Sequence, residues 1–144
     1  GRVVADALGT MATPQGREAE ILANAHAMTD VTGFGLAGHV QAICRASGLA
    51  AELWGKAVPL YPGAQALSDQ GVASSLLPVN QADAPIEAAG PVNPLFYDPQ
   101  TAGGLLAALP KATAEAAQAR LEAAGLTCHI IGRLEVGAPS MRLR

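Results

Sequence analysis

The chain has 144 residues, of which 50% are hydrophobic and only 3% aromatic, and nine lysines and arginines against twelve aspartates and glutamates leave a net charge of -3. A chain of this length can bury one core, so we predict a single domain. The lack of any basic run argues against nucleic-acid binding, and no apolar segment approaches the about 20 residues of a membrane helix. The two isolated cysteines, Cys44 and Cys128, indicate buried thiols and a cytoplasmic location.

The first half of the chain predicts alternating helices and strands. A helix is expected from Pro14 into QGREAEILANA, and AHAMTDV predicts a strand that ends near Asp30. A second helix is predicted from Phe34 to Ser47, where apolar residues recur at helical spacing. Thr32 is its expected N-cap, and Gly48 is the expected left-handed residue that ends it.

The middle of the chain is rich in proline and weak in periodicity. It predicts a strand at residues 50–54, then a helix with Pro62 in its first turn that runs to Gln70 and stops at Gly71. Residues 72–97 predict a long loop with room for one short strand or helix.

The last third predicts strand, helix and strand at residues 104–110, 113–124 and 127–134, with Thr113 as the helix cap. A unit of this length predicts two parallel strands joined by a right-handed crossover. The elements together predict an α+β domain, an α/β/α-type sandwich with a mixed β-sheet, over residues 1–144.

Two glycine-rich segments, TDVTGFGLAGH at residues 29–39 and DPQTAGG at residues 98–104, each contain one aspartate. A carboxylate at Asp30 beside the amides of a helix start suits Mg²⁺ that bridges phosphates. The alternative is that Asp30 or Thr32 only caps the helix. For the second segment, the alternatives are an Asx-type turn and a polar loop that faces the same cleft as Asp30.

These segments, with VPLYPGA at residues 58–64 and IIGRL at residues 130–134, resemble the C-terminal half of selenophosphate synthetase (selenide, water dikinase). The resemblance implies a fold like that of aminoimidazole ribonucleotide synthetase. It also implies that ATP, selenide and water are converted to selenophosphate, AMP and orthophosphate with Mg²⁺ as cofactor. The implied partners are these small substrates, an N-terminal domain of the same chain and a second copy in a homodimer.

The resemblance implies that Asp30 is a Mg²⁺ ligand and that other residues form a phosphate or active-site loop. Those residues are Thr29, Thr32, Gly33, Asp98, Gln100 and Thr101. The chain departs from the family at Ala102, where serine is frequent, and in the segment before Asn80, which lacks the usual glycines.

No catalytic residue is expected in this chain, because the family's reactive cysteine or selenocysteine belongs to the N-terminal domain. Since the chain opens on Gly1, we expect it to be the C-terminal domain of a larger two-domain enzyme and inactive alone. Residues 1–20 are then a linker or helix toward the N-terminal, ATP-binding domain. The alternatives are a related ATP-dependent kinase or ligase, of thiamine-monophosphate kinase-like or purine-biosynthetic type, and a non-catalytic interaction module.

Overall fold

The computed structural model describes residues 1–144 and contains six α-helices and five β-strands. The helices are α1 (Arg2–Met11), α2 (Gly16–Ile21), α3 (Gly35–Ser47), α4 (Ala64–Asp69), α5 (Leu77–Asp83) and α6 (Lys111–Ala123). The strands are β1 (Ala27–Asp30), β2 (Leu49–Leu53), β3 (Leu105–Ala108), β4 (Gly132–Val136) and β5 (Ser140–Leu143). Short 3₁₀ turns lie at Gly55–Ala57 and Pro94–Tyr97. None of the helices has the length and apolar character that a bilayer crossing requires.

The strands form two sheets. β1 pairs with β3 in an antiparallel ladder that ends with Asp30 opposite Leu105. In the second sheet β2 is central, antiparallel to β4 and parallel to β5. The predicted α+β class with a mixed sheet is therefore confirmed.

The parallel strand–helix–strand unit predicted for residues 104–134 is wrong. β3 and β4 lie in different sheets, and each pairs antiparallel with a strand from the first half of the chain. β4 also begins only at Gly132, so most of the strand predicted at residues 127–134 is irregular. The apolar pattern identified strands but not their partners, because strand pairing depends on contacts far along the chain.

Both predicted threonine caps are wrong. α3 begins after Phe34 without a side-chain cap, and Thr32 instead directs its backbone N–H and its hydroxyl toward His39. α6 begins at Lys111, so Thr113 lies inside its first turn. The predicted end of α3 is confirmed, since Gly48 has a left-handed φ of 63°.

Two helix boundaries also differ from the prediction. The helix after Pro14 ends at Ile21, several residues early, and α4 begins at Ala64 rather than at Pro62. The loop predicted at residues 72–97 does contain one short helix, α5, together with the second 3₁₀ turn. Proline at the second position of α5 is compatible with a helix start, and this signal was missed.

The larger core lies between α3 and the three-stranded sheet. Val40 and Cys44 on the predicted apolar face of α3 pack here with Leu53 and Met141, and Phe96 of the second 3₁₀ turn closes the cluster. A smaller core joins α2 to α6. It consists of Leu22, Ala117 and Leu121, with partly buried residues of β3 against it.

A buried carboxylate lies in the three-stranded sheet. Glu52 of β2 has a side chain only 6% exposed, and it is bound by Arg142 at 3.0 Å and Arg133 at 3.3 Å. The indole N–H of Trp54 donates to the same carboxylate at 3.1 Å. This hydrogen bond, with those from Arg142 and the nearby arginine charges, lowers the pKa of Glu52 from its ordinary 4.5 to about 2. Buried charge is tolerated here because it is paired.

The two glycine-rich segments are joined by backbone hydrogen bonds beyond the end of the β1–β3 ladder. The N–H of Val31 donates to the carbonyl of Gly104 at 3.0 Å, and the N–H of Gly103 donates back to the carbonyl of Val31 at 3.1 Å. A Cβ on Gly103 would overlap that carbonyl oxygen, whereas a Cβ on Gly104 would meet no atom within 4 Å. The close approach of the two segments therefore requires glycine at 103 but not at 104.

We predict that Glu52→Gln lowers the urea midpoint at pH 7 and that the difference from the parent chain vanishes as the pH falls. A depressed pKa means that the stability contributed by the carboxylate is complete above about pH 4.5 and is lost toward about pH 2. Urea unfolding across this range measures it. Glu115→Gln, at an exposed position of α6 without a salt bridge, is the matched control. A difference that persists unchanged at pH 2 would contradict the assignment.

We predict that Gly103→Ala destabilises the chain by about 1–3 kcal/mol, the usual cost of forcing extra volume into a packed position. Gly104→Ala, one residue away, should remain within about 0.5 kcal/mol of the parent chain. Urea unfolding of the two variants side by side measures both. Equal stability of the two would show that the segments separate without cost.

Candidate functional site

Asp30 is the last residue of β1 and is exposed to solvent. The hydroxyl of Thr29 donates to the Asp30 carbonyl at 3.0 Å, and the Asp30 carboxylate forms no salt bridge and no hydrogen bond within the chain. The backbone N–H groups of Gly33 and Phe34, shortly after it, also have no acceptor within the chain. One edge of the domain thus presents a free carboxylate next to free amide donors.

The second glycine-rich segment lies against this edge. The N–H of Gln100 donates to the carbonyl of Thr32 at 3.0 Å, which continues the bonds at Gly103 and Gly104. Thr101 is exposed, and Ala102 adopts a positive φ of 50° without hydrogen bonding its own N–H. The structure therefore brings the predicted residues of both segments together through their backbones.

Asp98 occupies a different environment from Asp30. Its half-buried side chain borders a cavity of about 160 Å³ that is also lined by α4 residues such as Leu67 and Ser68. Burial raises the pKa of the Asp98 carboxyl, and a hydrogen bond from the Gln100 amide at 3.2 Å opposes the shift. The predicted Asx-type turn is absent, because this carboxylate accepts from a side chain rather than from a nearby backbone N–H.

His39 holds the loop after Asp30 from the α3 side. Its Nε2 accepts from the backbone N–H of Thr32 at 3.0 Å and lies 3.1 Å from the Thr32 hydroxyl. His39 therefore has a structural role, since its hydrogen bonds hold the loop at Thr32. The ring of Phe34, whose residue is 65% exposed, lies 5.9 Å from the imidazole.

Asn80 of α5 also holds the loop after Asp30. It is 5% exposed, and its side-chain amide donates to the carbonyl of Gly33 at 3.0 Å and to the carbonyl of Tyr97 at 2.9 Å. From the sequence, no role was predicted for Asn80, and only the lack of the family's usual glycines before it was noted. A polar residue in an otherwise apolar helical turn was the available signal.

A divalent cation fits this edge only if ligands from outside the chain complete its coordination. No group of three or more histidine, cysteine, aspartate or glutamate side chains in the chain could hold a metal ion. One exposed carboxylate at Asp30 matches the donor set of Mg²⁺, which is commonly held by one or two carboxylates together with phosphates and water. It does not match zinc, whose structural and catalytic sites use three or four protein ligands.

Neither cysteine has the character of a nucleophile. Cys44 is fully buried in the larger core, and burial raises the pKa of its thiol. Burial, with a smaller contribution from the charge of Glu122, raises the pKa of the Cys128 thiol. Because the thiolate is the reactive form, both shifts oppose reactivity.

Comparison of the sequence with known proteins identifies the family to which this chain belongs. The family model described as AIR synthase related protein, C-terminal domain, matches residues 2–142. A selenide, water dikinase of Cronobacter sakazakii is 40% identical over 128 residues, which cover 82% of this chain and 36% of that protein. A selenide, water dikinase of Pseudomonas straminea is 35% identical over 97% of this chain and 41% of its own length. One from a Sulfurovum species is 41% identical over 76% of this chain and 33% of its own length.

These comparisons confirm the resemblance to selenophosphate synthetase that the glycine-rich segments carry. The chain spans only 33% to 41% of the length of these relatives. By its match from residue 2 to residue 142, the chain belongs to the AIR synthase related proteins, as their C-terminal domain.

Proposed function

We propose that this domain is the C-terminal part of a two-domain selenide, water dikinase, which makes selenophosphate, AMP and orthophosphate from ATP, selenide and water. Similarity to three proteins of that name supports the reaction. The observation that carries the role of this domain is the free carboxylate of Asp30 beside unpaired amides, at the contact between the two glycine-rich segments.

In this proposal the Asp30 carboxylate would be one ligand of the Mg²⁺ that accompanies ATP. The amides of Gly33 and Phe34 donate to phosphate oxygens, as amides at a helix start do. Bound Mg²⁺ neutralises the charge of the transferring phosphoryl group. Thr32, Gln100 and Thr101 belong to the surrounding loops, Thr29 lies beside them at the end of β1, and Asp98 accepts a hydrogen bond from Gln100.

The rest of the proposed enzyme lies outside this chain. An N-terminal domain of the same protein binds most of the ATP and supplies the nucleophile, and the whole protein is a homodimer. The domain alone is therefore proposed to be inactive, because a single carboxylate holds Mg²⁺ weakly without phosphates and further ligands.

We predict that Asp30→Asn in the two-domain protein lowers selenophosphate formation by about a hundredfold, the usual scale for losing one charge-stabilising group at a reacting phosphate or carbonyl. Stability should change by less than about 0.5 kcal/mol, because Asp30 is exposed and asparagine keeps its size. Turnover and melting temperature are measured on the same samples. Asp83→Asn, at another exposed carboxylate, is the control and should leave both unchanged.

Normal turnover with lowered stability in Asp30→Asn would show that Asp30 only supports the loop. A parent protein that phosphorylates thiamine monophosphate or a purine intermediate, but forms no selenophosphate, would replace the proposed reaction by that of a relative. A parent protein without any ATP-dependent turnover would favour a non-catalytic interaction module.

A further inference from the structure

Buried polar and charged residues are rare in this domain, and they are Glu52 and Asn80. The burial of Glu52 is explained by its salt bridges to Arg133 and Arg142. Asn80 lies on α5, whose neighbouring Leu77 and Ala84 belong to the larger core or pack against it. An apolar residue would serve packing at least as well, because burying an amide costs free energy unless its hydrogen bonds are made. The identity of residue 80 therefore calls for an explanation other than packing.

The two N–H bonds of the Asn80 amide supply that explanation. They end on the carbonyls of Gly33 and Tyr97, which are 47 and 17 residues away along the chain. Gly33 follows Asp30 in the first glycine-rich segment, and Tyr97 immediately precedes Asp98 in the second. Because both donors belong to one planar group, the amide fixes the spacing of the two carbonyls.

The two segments also approach each other closely at Gly35 and Tyr97. Gly35 has a positive φ of 69°, and a Cβ there would lie 2.6 Å from the carbonyl carbon of Tyr97. Asn80 therefore ties together two backbones that are already in close contact. The backbone bonds among residues 31, 32, 100 and 103 join the two segments at one place, and Asn80 joins them a second time at Gly33 and Tyr97.

We propose that Asn80 is a positioning residue that sets the placement of the Asp30 loop against the segment from Tyr97 to Gly103. It acts through backbone carbonyls and touches neither substrate nor metal. The inference rests on the proposed function for its effect on Mg²⁺, but its structural part can be measured separately.

The test compares Asn80→Ala with Leu77→Ala in the two-domain protein. Both remove buried atoms from α5, but Leu77 bonds to neither glycine-rich segment. We expect amide hydrogen exchange at Gln100 and Gly103 to be about tenfold faster in Asn80→Ala, equivalent to about 1.4 kcal/mol, and near the parent rate in Leu77→Ala. The Mg²⁺ concentration that gives half-maximal turnover should rise by about tenfold in Asn80→Ala alone.

If Asn80→Ala does not fold, Asn80→Ser, which keeps one hydroxyl donor, should give smaller shifts in the same direction.

Equal exchange at Gln100 and Gly103 in the two variants would overturn the positioning role. So would an unchanged Mg²⁺ requirement in Asn80→Ala when Asp30→Asn, measured in parallel, raises that requirement. An unchanged Mg²⁺ requirement in Asp30→Asn would instead overturn the proposed function, and the exchange rates would then decide the placement role on their own.

Discussion

The arrangement of this domain depends on one close approach, in which the backbone of Gly103 lies against the carbonyl of Val31. A side chain at 103 would occupy the position of that oxygen, so the contact exists only with glycine. The hydrogen bonds of Val31 to Gly104 and to Gly103 extend the β1–β3 ladder past its last pair, Asp30 and Leu105. Strand pairing thereby places the free carboxylate beside the loop that begins at Asp98.

Side chains from other elements fix the loop once this contact is made. His39 accepts from Thr32, Asn80 donates to Gly33, and Gln15 of the segment before α2 donates to the carbonyl of Gly103 at 2.7 Å. Each partner comes from a different part of the chain. A loop held from several sides keeps its free amides and the Asp30 carboxylate in one arrangement, which is the preorganisation that binding of a charged ligand requires.

Part of this architecture could be predicted from the sequence because it is encoded locally. The apolar face of α3, its end at Gly48 and the strand before Asp30 follow from spacing and from glycine chemistry. The partners of β3 and β4 could not be predicted, because the apolar pattern of a strand does not specify which distant strand it pairs with.

Buried polar groups were missed for the same reason. The burial of Glu52 depends on two arginines that lie 81 and 90 positions further along the chain. The burial of Asn80 depends on backbone carbonyls of two separate segments. The recognisable motif located Asp30, but its exposure to solvent, its neighbours and the unpaired amides beside it could be seen only in the folded chain.

We propose that the Asp30 edge binds the Mg²⁺ and phosphates of ATP in the two-domain protein. A crystal structure of that protein with Mg²⁺ and a non-hydrolysable ATP analogue tests it most directly. We expect an Asp30 carboxylate oxygen at about 2.1 Å from Mg²⁺, with phosphate oxygens within hydrogen-bond distance of the Gly33 and Phe34 amides. Mg²⁺ and phosphates bound entirely by other residues, with Asp30 facing bulk water, would contradict it.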